Sequence, residues 1–193
     1  MAELPVPVEF DPETGRWSVE GQAMLLIPRH FFVFMQMESE KRFGVEATHA
    51  VIHEATCKAA KLWCKREAKT HGIDGVAVFR HYLRRLSERG YGRLTIETID
   101  PAAGTASIRL DHSVYVAEYG RNAGRRVCYM FTSAFIGAMD YVAEAAGRKR
   151  DFVSEEVQCG AEGADCCRFV VRPRMPDRTA PAIMPGIDKP GPP

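Results

Sequence analysis

Residues 156–169 read EVQCGAEGADCCRF, and this stretch carries the densest chemistry of the chain. One strand-like segment precedes its two glycines and another follows them, so the chain is predicted to fold back on itself here. Cys159 and Cys167 flank the loop, and the reversal lets both thiolates approach one point. Glu156 precedes Cys159 by one short step and can add a carboxylate oxygen to the same point.

The same group gains a further candidate from the third predicted helix. Cys128 lies in the first turn of that helix, where the helix N-terminus favours the thiolate form. Three sulfurs and one carboxylate suit a closed tetrahedral Zn²⁺ site, and iron is the alternative because thiolate-rich sites accept both metals. Glu155 is as near as Glu156, and Cys166 adjoins Cys167; adjacent strand residues point to opposite faces, so only one of the two cysteines should ligate. The other interpretation is that these cysteines are small buried hydrophobes.

The remaining pattern predicts long helices and an antiparallel hairpin. Apolar residues recur with a helical period over 45–70, 75–89 and 127–146. Residues 94–110 alternate around an Asp-Pro-Ala-Ala-Gly turn, as in a hairpin, and 113–119 is predicted as a further extended piece. Together with the strands around the cysteine loop, these elements predict an α+β fold in which an antiparallel sheet of about four strands packs with long helices.

The chain divides into three predicted parts. Residues 1–24 form an N-terminal arm or hairpin, 25–172 the main domain, and 173–193 a proline-rich flexible tail. The stretch that follows Pro28 is dense in Phe and Met, and it is interpreted either as core or as a short helix lining a cavity or an interface. The weak candidates for ligand binding are Phe31, Phe34, His112 and Tyr115.

Composition and the motifs that are missing exclude several classes of function. The chain has 193 residues and a formal net charge of +1, which gives no electrostatic case for nucleic acid or an anionic membrane. Arginines at 80, 84, 85 and 89 repeat at helical spacing and are interpreted as a solvated helix face. No phosphate loop, nucleophile elbow or dinucleotide fingerprint is present, so no catalytic residue is assigned. No apolar run has the length of a membrane span and no secretory signal is recognisable, so we expect a cytoplasmic protein whose six cysteines are thiols or metal ligands.

The cysteine stretch resembles the closing motif of the 4-vinyl-reductase domain family. In that family a Glu-x-x-Cys step, a glycine-containing loop and a Cys-Arg-Phe strand end the domain, and here they correspond to 156–159, Gly163 and 167–169. The order of elements is similar over residues 25 to 172. The resemblance implies the α+β ligand-binding fold of NO-signalling and Golgi-transport proteins, shared by bacterial sensors of aromatic effectors, a protein of bacteriochlorophyll synthesis and Golgi-tethering subunits. In the sensors this motif and an upstream cysteine bind zinc, and the resemblance transfers that role to Cys128, Glu156, Cys159 and Cys167.

These features together predict a binding or sensing module for a small apolar or aromatic molecule, with a structural thiolate metal site. The alternatives are an accessory subunit or enzyme in the reduction or catabolism of a small metabolite or tetrapyrrole, and a protein-assembly scaffold. We lean against catalysis because no flavin or nicotinamide motif is present. The apolar content of residues 24–37 predicts a homodimer, and signalling would require another protein as partner.

Overall fold

Two antiparallel sheets and five helices make up the computed structural model, which describes residues 7–148 and 150–175. The helices are α1 (Arg29–Phe43), α2 (Val45–His71), α3 (Gly75–Glu88), α4 (Val114–Tyr119) and α5 (Tyr129–Ala145). The strands are β1 (Val8–Asp11), β2 (Arg16–Val19), β3 (Gln22–Met24), β4 (Arg93–Asp100), β5 (Thr105–Asp111), β6 (Phe152–Gln158) and β7 (Cys167–Pro173). The predicted α+β class is confirmed.

The larger sheet has four strands in the order β4-β5-β7-β6, and each neighbouring pair is antiparallel. The predicted hairpin is β4–β5, and its turn forms as the sequence indicates. Asp100 accepts hydrogen bonds from the backbone N–H groups of Ala102 and Ala103 at 2.9 and 3.0 Å. Gly104 then closes the turn with a φ of 74°, a conformation that favours glycine. The second hairpin, β6–β7, carries the cysteine-rich loop.

Helix α5 lies against both α2 and the sheet, and its apolar face forms the centre of the core. The Phe135 ring lies 5.3 Å from that of Phe169 on β7 and 6.4 Å from that of Phe79 on α3. Four apolar residues that recur at helical spacing on this helix are all buried: Phe131, Phe135, Met139 and Val142. Burying large aromatic side chains at this junction supplies much of the apolar stabilisation of the fold.

Two local predictions from the sequence are wrong. The segment 113–119 is helical rather than extended: the Ser113 hydroxyl caps α4 by accepting the Tyr115 N–H at 3.2 Å, and Gly120 ends the helix. The arginine series on α3 is not a uniformly solvated face either. Arg85 is 6% exposed and pairs with Glu20, because α3 turns this side of the helix toward the small sheet.

The small sheet, β1-β2-β3, is an antiparallel meander over residues 8–24. The turn between its last two strands places Glu20 against α2 and α3, where the carboxylate contacts Arg85 and lies 3.1 Å from His71 Nε2. At the other end of the chain Pro173 still pairs with Phe152 in the larger sheet. Residues 1–6, and 176–193 of the predicted tail, lie outside the described residues. Within the described part, no helix has both the length and the apolar character needed to cross a membrane.

Candidate metal centre and ligand cavity

Four predicted ligands come together where α5 begins beside the β6–β7 hairpin. The ligand atoms of Cys128, Glu156, Cys159 and Cys167 all lie within 4.8 Å of one another, and all four residues are buried. The Sγ atoms of Cys128 and Cys167 are 3.7 Å apart, and those of Cys167 and Cys159 are 3.9 Å apart. A Zn–S bond of about 2.3 Å in a tetrahedron places two sulfurs about 3.8 Å apart. The sulfur spacing therefore already matches the edge of a tetrahedral thiolate site.

An irregularity in β6 brings Glu156 and Cys159 to the same side. Residues three apart on a regular strand point to opposite faces. Here the register shifts between Glu156, which pairs with Phe169, and Gln158, which pairs with Arg168. The extra residue in the bulge resets the alternation. The chain then turns so that both the carboxylate and the thiol point inward.

Glu156 has one oxygen engaged and one without a partner. Its Oε2 accepts the backbone N–H of Cys128 at 3.0 Å, whereas Oε1 is buried and makes no hydrogen bond within the described part of the chain. Burial raises the pKa of Glu156 to about 9, which shows how strongly this position disfavours an uncompensated negative charge. A bound cation supplies both a partner for Oε1 and the compensating charge. The donor set therefore fits a metal ion, and the group can hold one.

The loop supplies hydrogen-bond donors to the sulfurs. The backbone N–H of Gly160 lies 3.3 Å from the Sγ of Cys167, and that of Ala161 lies 3.4 Å from the Sγ of Cys159. Hydrogen bonds from the thiols of Cys128 and Cys167 lower the pKa of Cys159 well below its ordinary value. Such donors stabilise thiolate, which is the form that binds a metal.

The two competing neighbours point elsewhere. Glu155 is exposed, and its carboxylate lies 3.5 Å from the Arg126 guanidinium. Cys166 is buried, but its Sγ lies 3.5 Å from the side-chain amide of Gln158 and outside the metal-ligand group. The structure thus separates the alternatives that the sequence left open: Glu156 and Cys167 belong to the metal-ligand group, whereas Glu155 and Cys166 do not.

A second group of metal-ligand type was not foreseen from the sequence. Glu67, His71 and His81 also converge, with His81 Nε2 at 2.7 Å from the Glu67 carboxylate. Arg85 Nε lies 3.9 Å from the same oxygen, and Glu20 joins the group from the small sheet. A guanidinium so close opposes a second cation, so this group is an ion-pair network that joins the small sheet to α2 and α3.

An apolar cavity lies between α1, α2 and α3. It has a volume of about 480 Å³, and residues from α4, α5 and the segment just before β4 complete its wall. The aromatic residues of the wall are Phe32, Trp63, Tyr82, Tyr91 and Tyr115. Volumes of roughly 300–1,000 Å³ with such a lining are typical of small-molecule sites.

Two residues of the cavity wall each have a buried polar atom that lacks a partner among the described residues. Trp63 is 6% exposed and its Nε1 lacks an acceptor, while Gln36 is 2% exposed and its Oε1 lacks a donor. The Gln36 amide nitrogen is engaged, because it donates to the Val127 carbonyl at 3.0 Å and to the Tyr119 hydroxyl at 3.2 Å. Unpaired buried polar atoms are rare in folded proteins, and a ligand or water at the wall would satisfy them.

The four weak candidates for ligand binding are separated in the structure. Tyr115 lines the cavity, and His112 is exposed in a different cleft. Phe31 and Phe34 are 48% and 49% exposed on the outer side of α1, which excludes the core interpretation for both. The α1 residues at the cavity are instead offset by one position, Phe32 and Met35 among them. Phe32 and Met35 are themselves 43% and 54% exposed, because the cavity is open on this side.

Comparisons with known proteins support this architecture. Residues 2–97 match a family model described as a domain of unknown function (DUF5943). That range covers the small sheet, the first three helices and most of β4, and it does not include the metal-ligand group. A search of curated proteins found no significant match.

Three solved structures share the fold. The phenol-responsive sensory domain of the transcription activator PoxR, solved with phenol, aligns at 17% identity and a TM-score of 0.71, covering 86% of this chain and 84% of that one. A trafficking protein particle complex subunit 3 from Naegleria fowleri, covalently bound to palmitic acid, aligns at 12% identity and a TM-score of 0.54. The alignment covers 76% of this chain and 95% of that one. A vinyl-4-reductase family protein from Methanocaldococcus jannaschii aligns at 15% identity and a TM-score of 0.52, covering 79% of this chain and 85% of that one. At these identities the likeness shows the fold alone.

Proposed function

We propose that this chain is a small-molecule-binding module whose ligand enters the cavity between α1, α2 and α3. The observation that carries the proposal is the apolar, aromatic-lined space of about 480 Å³. Its unpartnered Trp63 Nε1 and Gln36 Oε1 offer the few polar contacts that orient a ligand in such sites. The phenol-responsive domain with the same fold supports sensing of an aromatic effector as the role.

The metal in this proposal is zinc, and its role is structural. Cys128, Glu156, Cys159 and Cys167 would complete a four-coordinate shell and leave no open position for water or substrate. These ligands lie on α5, β6, the loop and β7, so the ion would tie the start of the helix to the last hairpin. Met130, two residues beyond Cys128, lines the cavity. The site would therefore hold one wall of the cavity in place.

Binding can be tested by narrowing the cavity mouth. Ala59 lines the cavity on α2 and is exposed, whereas Ala50 is exposed on the same helix and away from the cavity. We expect 2-naphthol to quench the fluorescence of Trp63 in the wild type and in Ala50→Phe, and to bind at least about tenfold more weakly to Ala59→Phe. Native mass spectrometry of the purified protein would report bound metal and ligand together. Equal affinity of the two variants, or no binding to any of the three proteins, would refute this site.

Division of the chain follows from the same proposal. Residues 25–172 would form the binding domain, 1–24 an arm that docks on α2 and α3, and 173–193 a tail that binding does not need. We place the protein in the cytoplasm, where thiol ligands stay reduced. Truncation after residue 175 should leave the melting temperature unchanged, since the described strand ends at Pro173.

One exposed apolar surface favours a homodimer. The same surface supports assembly through protein contacts as the second candidate function. Large apolar side chains are exposed on the segment before α1 and on α1 itself: Leu25 (76%), Leu26 (75%), Phe31 (48%), Phe34 (49%) and Phe43 (65%). Such a concentration is unusual on a monomer. Light scattering at micromolar concentration should report a dimer mass for the wild type and a monomer for Phe31→Glu/Phe34→Glu. A monomeric wild type would refute the proposal.

A further inference from the structure

Arg89 ends α3 and borders the cavity. It is the C-cap residue of the helix and is half-buried in the cavity wall. Its guanidinium carbon lies 4.9 Å from the centre of the Trp63 ring. Burial lowers the pKa of Arg89 from its ordinary value, yet arginine stays protonated at neutral pH. The cavity wall therefore includes a cation in largely apolar surroundings.

The nearby carboxylates are already engaged by other cations. No carboxylate oxygen of the described residues lies within 4.0 Å of the Arg89 guanidinium. The Glu88 carboxylate is 3.1 Å from Arg85 Nη1, and the Glu67 carboxylate is 2.7 Å from His81 Nε2. A partly desolvated guanidinium without a counterion is unfavourable, so this position is prepared for an anion from outside the described chain.

Several other polar groups of the wall can donate hydrogen bonds. Trp63 Nε1 can only donate, and it has no acceptor among the described residues. Tyr82 and Tyr115 line the same cavity, and neither hydroxyl makes a hydrogen bond within the described residues. Gln36 Oε1 is the acceptor that accompanies them. A ligand with acceptor oxygens can take hydrogen bonds from Trp63 Nε1 and from the tyrosine hydroxyls, which can donate as well as accept.

We propose that the ligand of this cavity is an aromatic carboxylate, whose anionic head pairs with Arg89 and whose ring lies against Trp63 and the neighbouring tyrosines. The inference rests on the function proposed above and adds the charge of the ligand. A guanidinium binds a carboxylate through two parallel hydrogen bonds, which fixes its orientation as well as adding affinity.

The position of Arg89 also indicates where the head group lies. Arg89 lines a neighbouring cleft of about 300 Å³ beside the small sheet, and Phe32 and Tyr91 are shared by both spaces. The carboxylate therefore lies where the two spaces meet, and the ring occupies the larger one. A role for Arg89 that is confined to stacking on Trp63 makes a different prediction, because it affects charged and neutral ligands alike.

The experiment compares 2-naphthoate with 2-naphthamide, its neutral counterpart of nearly the same shape, by calorimetric titration at neutral pH. The wild type should bind the carboxylate roughly tenfold or more tightly than the amide, as expected for a hydrogen-bonded charge pair. Arg89→Met should abolish this preference while changing amide affinity by less than about threefold. Arg89→Lys should keep part of the preference, because the charge remains but the paired hydrogen bonds are lost.

Arg80→Met is the matched control, because Arg80 is exposed on the same helix and outside the cavity; it should keep the full preference. Retained amide binding shows that a variant is folded. Equal affinity of the wild type for both probes, or a preference that survives in Arg89→Met, overturns this inference and leaves the binding module intact. A wild type that binds neither probe, nor 2-naphthol, overturns both proposals.

Discussion

The backbone N–H of Cys128 donates to the carboxylate of Glu156 at 3.0 Å, so a strand residue caps the start of α5. The first N–H groups of a helix lack partners within it, and a carboxylate at this position also meets the positive end of the helix dipole. The Oε1 atom of the same carboxylate has no hydrogen-bond partner among the described residues. Glu156 therefore links two functions: it fixes the helix start, and it offers an oxygen to a metal ion.

This double role predicts that the two functions can be separated. Glu156→Gln keeps an acceptor for the Cys128 N–H but removes the negative charge. We expect the far-ultraviolet circular dichroism spectrum to be unchanged and metal affinity to fall roughly hundredfold or more. Competition with a chromophoric chelator measures the affinity. Glu155→Gln is the matched control, since that neighbour is exposed, and it should bind metal like the wild type.

The cysteines make a second prediction, which distinguishes ligands from packing residues. Cys159→Ser and Cys167→Ser should each release the metal, and the free energy of unfolding should fall by about 4 kcal/mol when free metal exceeds its Kd about a thousandfold. Cys166→Ser should retain the metal, because that thiol lies outside the ligand group. Elemental analysis and thermal melts decide the matter. A wild type without stoichiometric metal would show that these cysteines only pack.

Gly137 makes the contact between α5 and α2 unusually close. A Cβ at Gly137 would lie 2.4 Å from the Cys57 carbonyl oxygen and 3.0 Å from the Cβ of Ala60. We expect Gly137→Ala to lower the free energy of unfolding by about 2–3 kcal/mol, because backbone must move to admit the methyl group. Denaturant titration measures this. Ala145→Val, exposed on the same helix, should change stability by less than about 1 kcal/mol, and a silent Gly137→Ala would contradict the close contact.

Sequence periodicity predicted the elements that have strong local signals. The long helices and both hairpins of the larger sheet follow from apolar spacing and from turn residues such as Asp100 and Gly104. Glu156 and Cys159 point to the same side only because β6 contains a bulge, and a bulge depends on the partner strand and not on local sequence. Likewise, Ser113 caps a helix only because the chain leaves the sheet there.

Side-chain direction was predicted less well than element type. On α1 the interpretation as core is wrong for Phe31 and Phe34, because both side chains lie on the exposed side of the helix. Aromatic residues occur both on this exposed side and at the cavity, so their presence does not indicate which side is buried. On α3, Arg85 and Arg89 point into the protein, since their partners are Glu20 from a distant segment and the Trp63 ring. Long-range partners of this kind leave no periodic signal in the sequence.

Asp140 on α5 should make stability depend on pH. Burial raises its pKa to about 6, above the ordinary value of about 3.9. The folded state therefore holds its proton more tightly, and stability falls as pH rises from about 4 to about 6. Asp140→Asn should stabilise the protein by about 1 kcal/mol at pH 7, a value reduced for solvent screening, and have no effect at pH 4. Denaturant titrations at the two pH values measure this. Equal effects of Asp140→Asn at both pH values would contradict the assignment.

The metal group and the cavity are joined by a short chain of contacts. Cys128 Sγ lies 3.2 Å from the Ser113 hydroxyl, which in turn accepts the N–H of Tyr115, a residue of the cavity wall. A metal that fixes Cys128 should therefore fix Tyr115, and removing the metal with a chelator should weaken 2-naphthol binding by roughly fivefold.

Because coupling free energies are reciprocal, saturating 2-naphthol should strengthen metal binding by the same factor. Ser113→Ala should shrink both effects together, since it removes the hydroxyl between Cys128 and Tyr115 and leaves all four metal-ligand side chains in place. Ser107→Ala, which removes a surface hydroxyl bonded to Glu97, should leave both intact. Two titrations measure the coupling from opposite directions: naphthol affinity with and without metal, and metal affinity with and without naphthol. If neither affinity responds to the other ligand, the metal and the cavity are energetically independent and the contact through Ser113 transmits nothing.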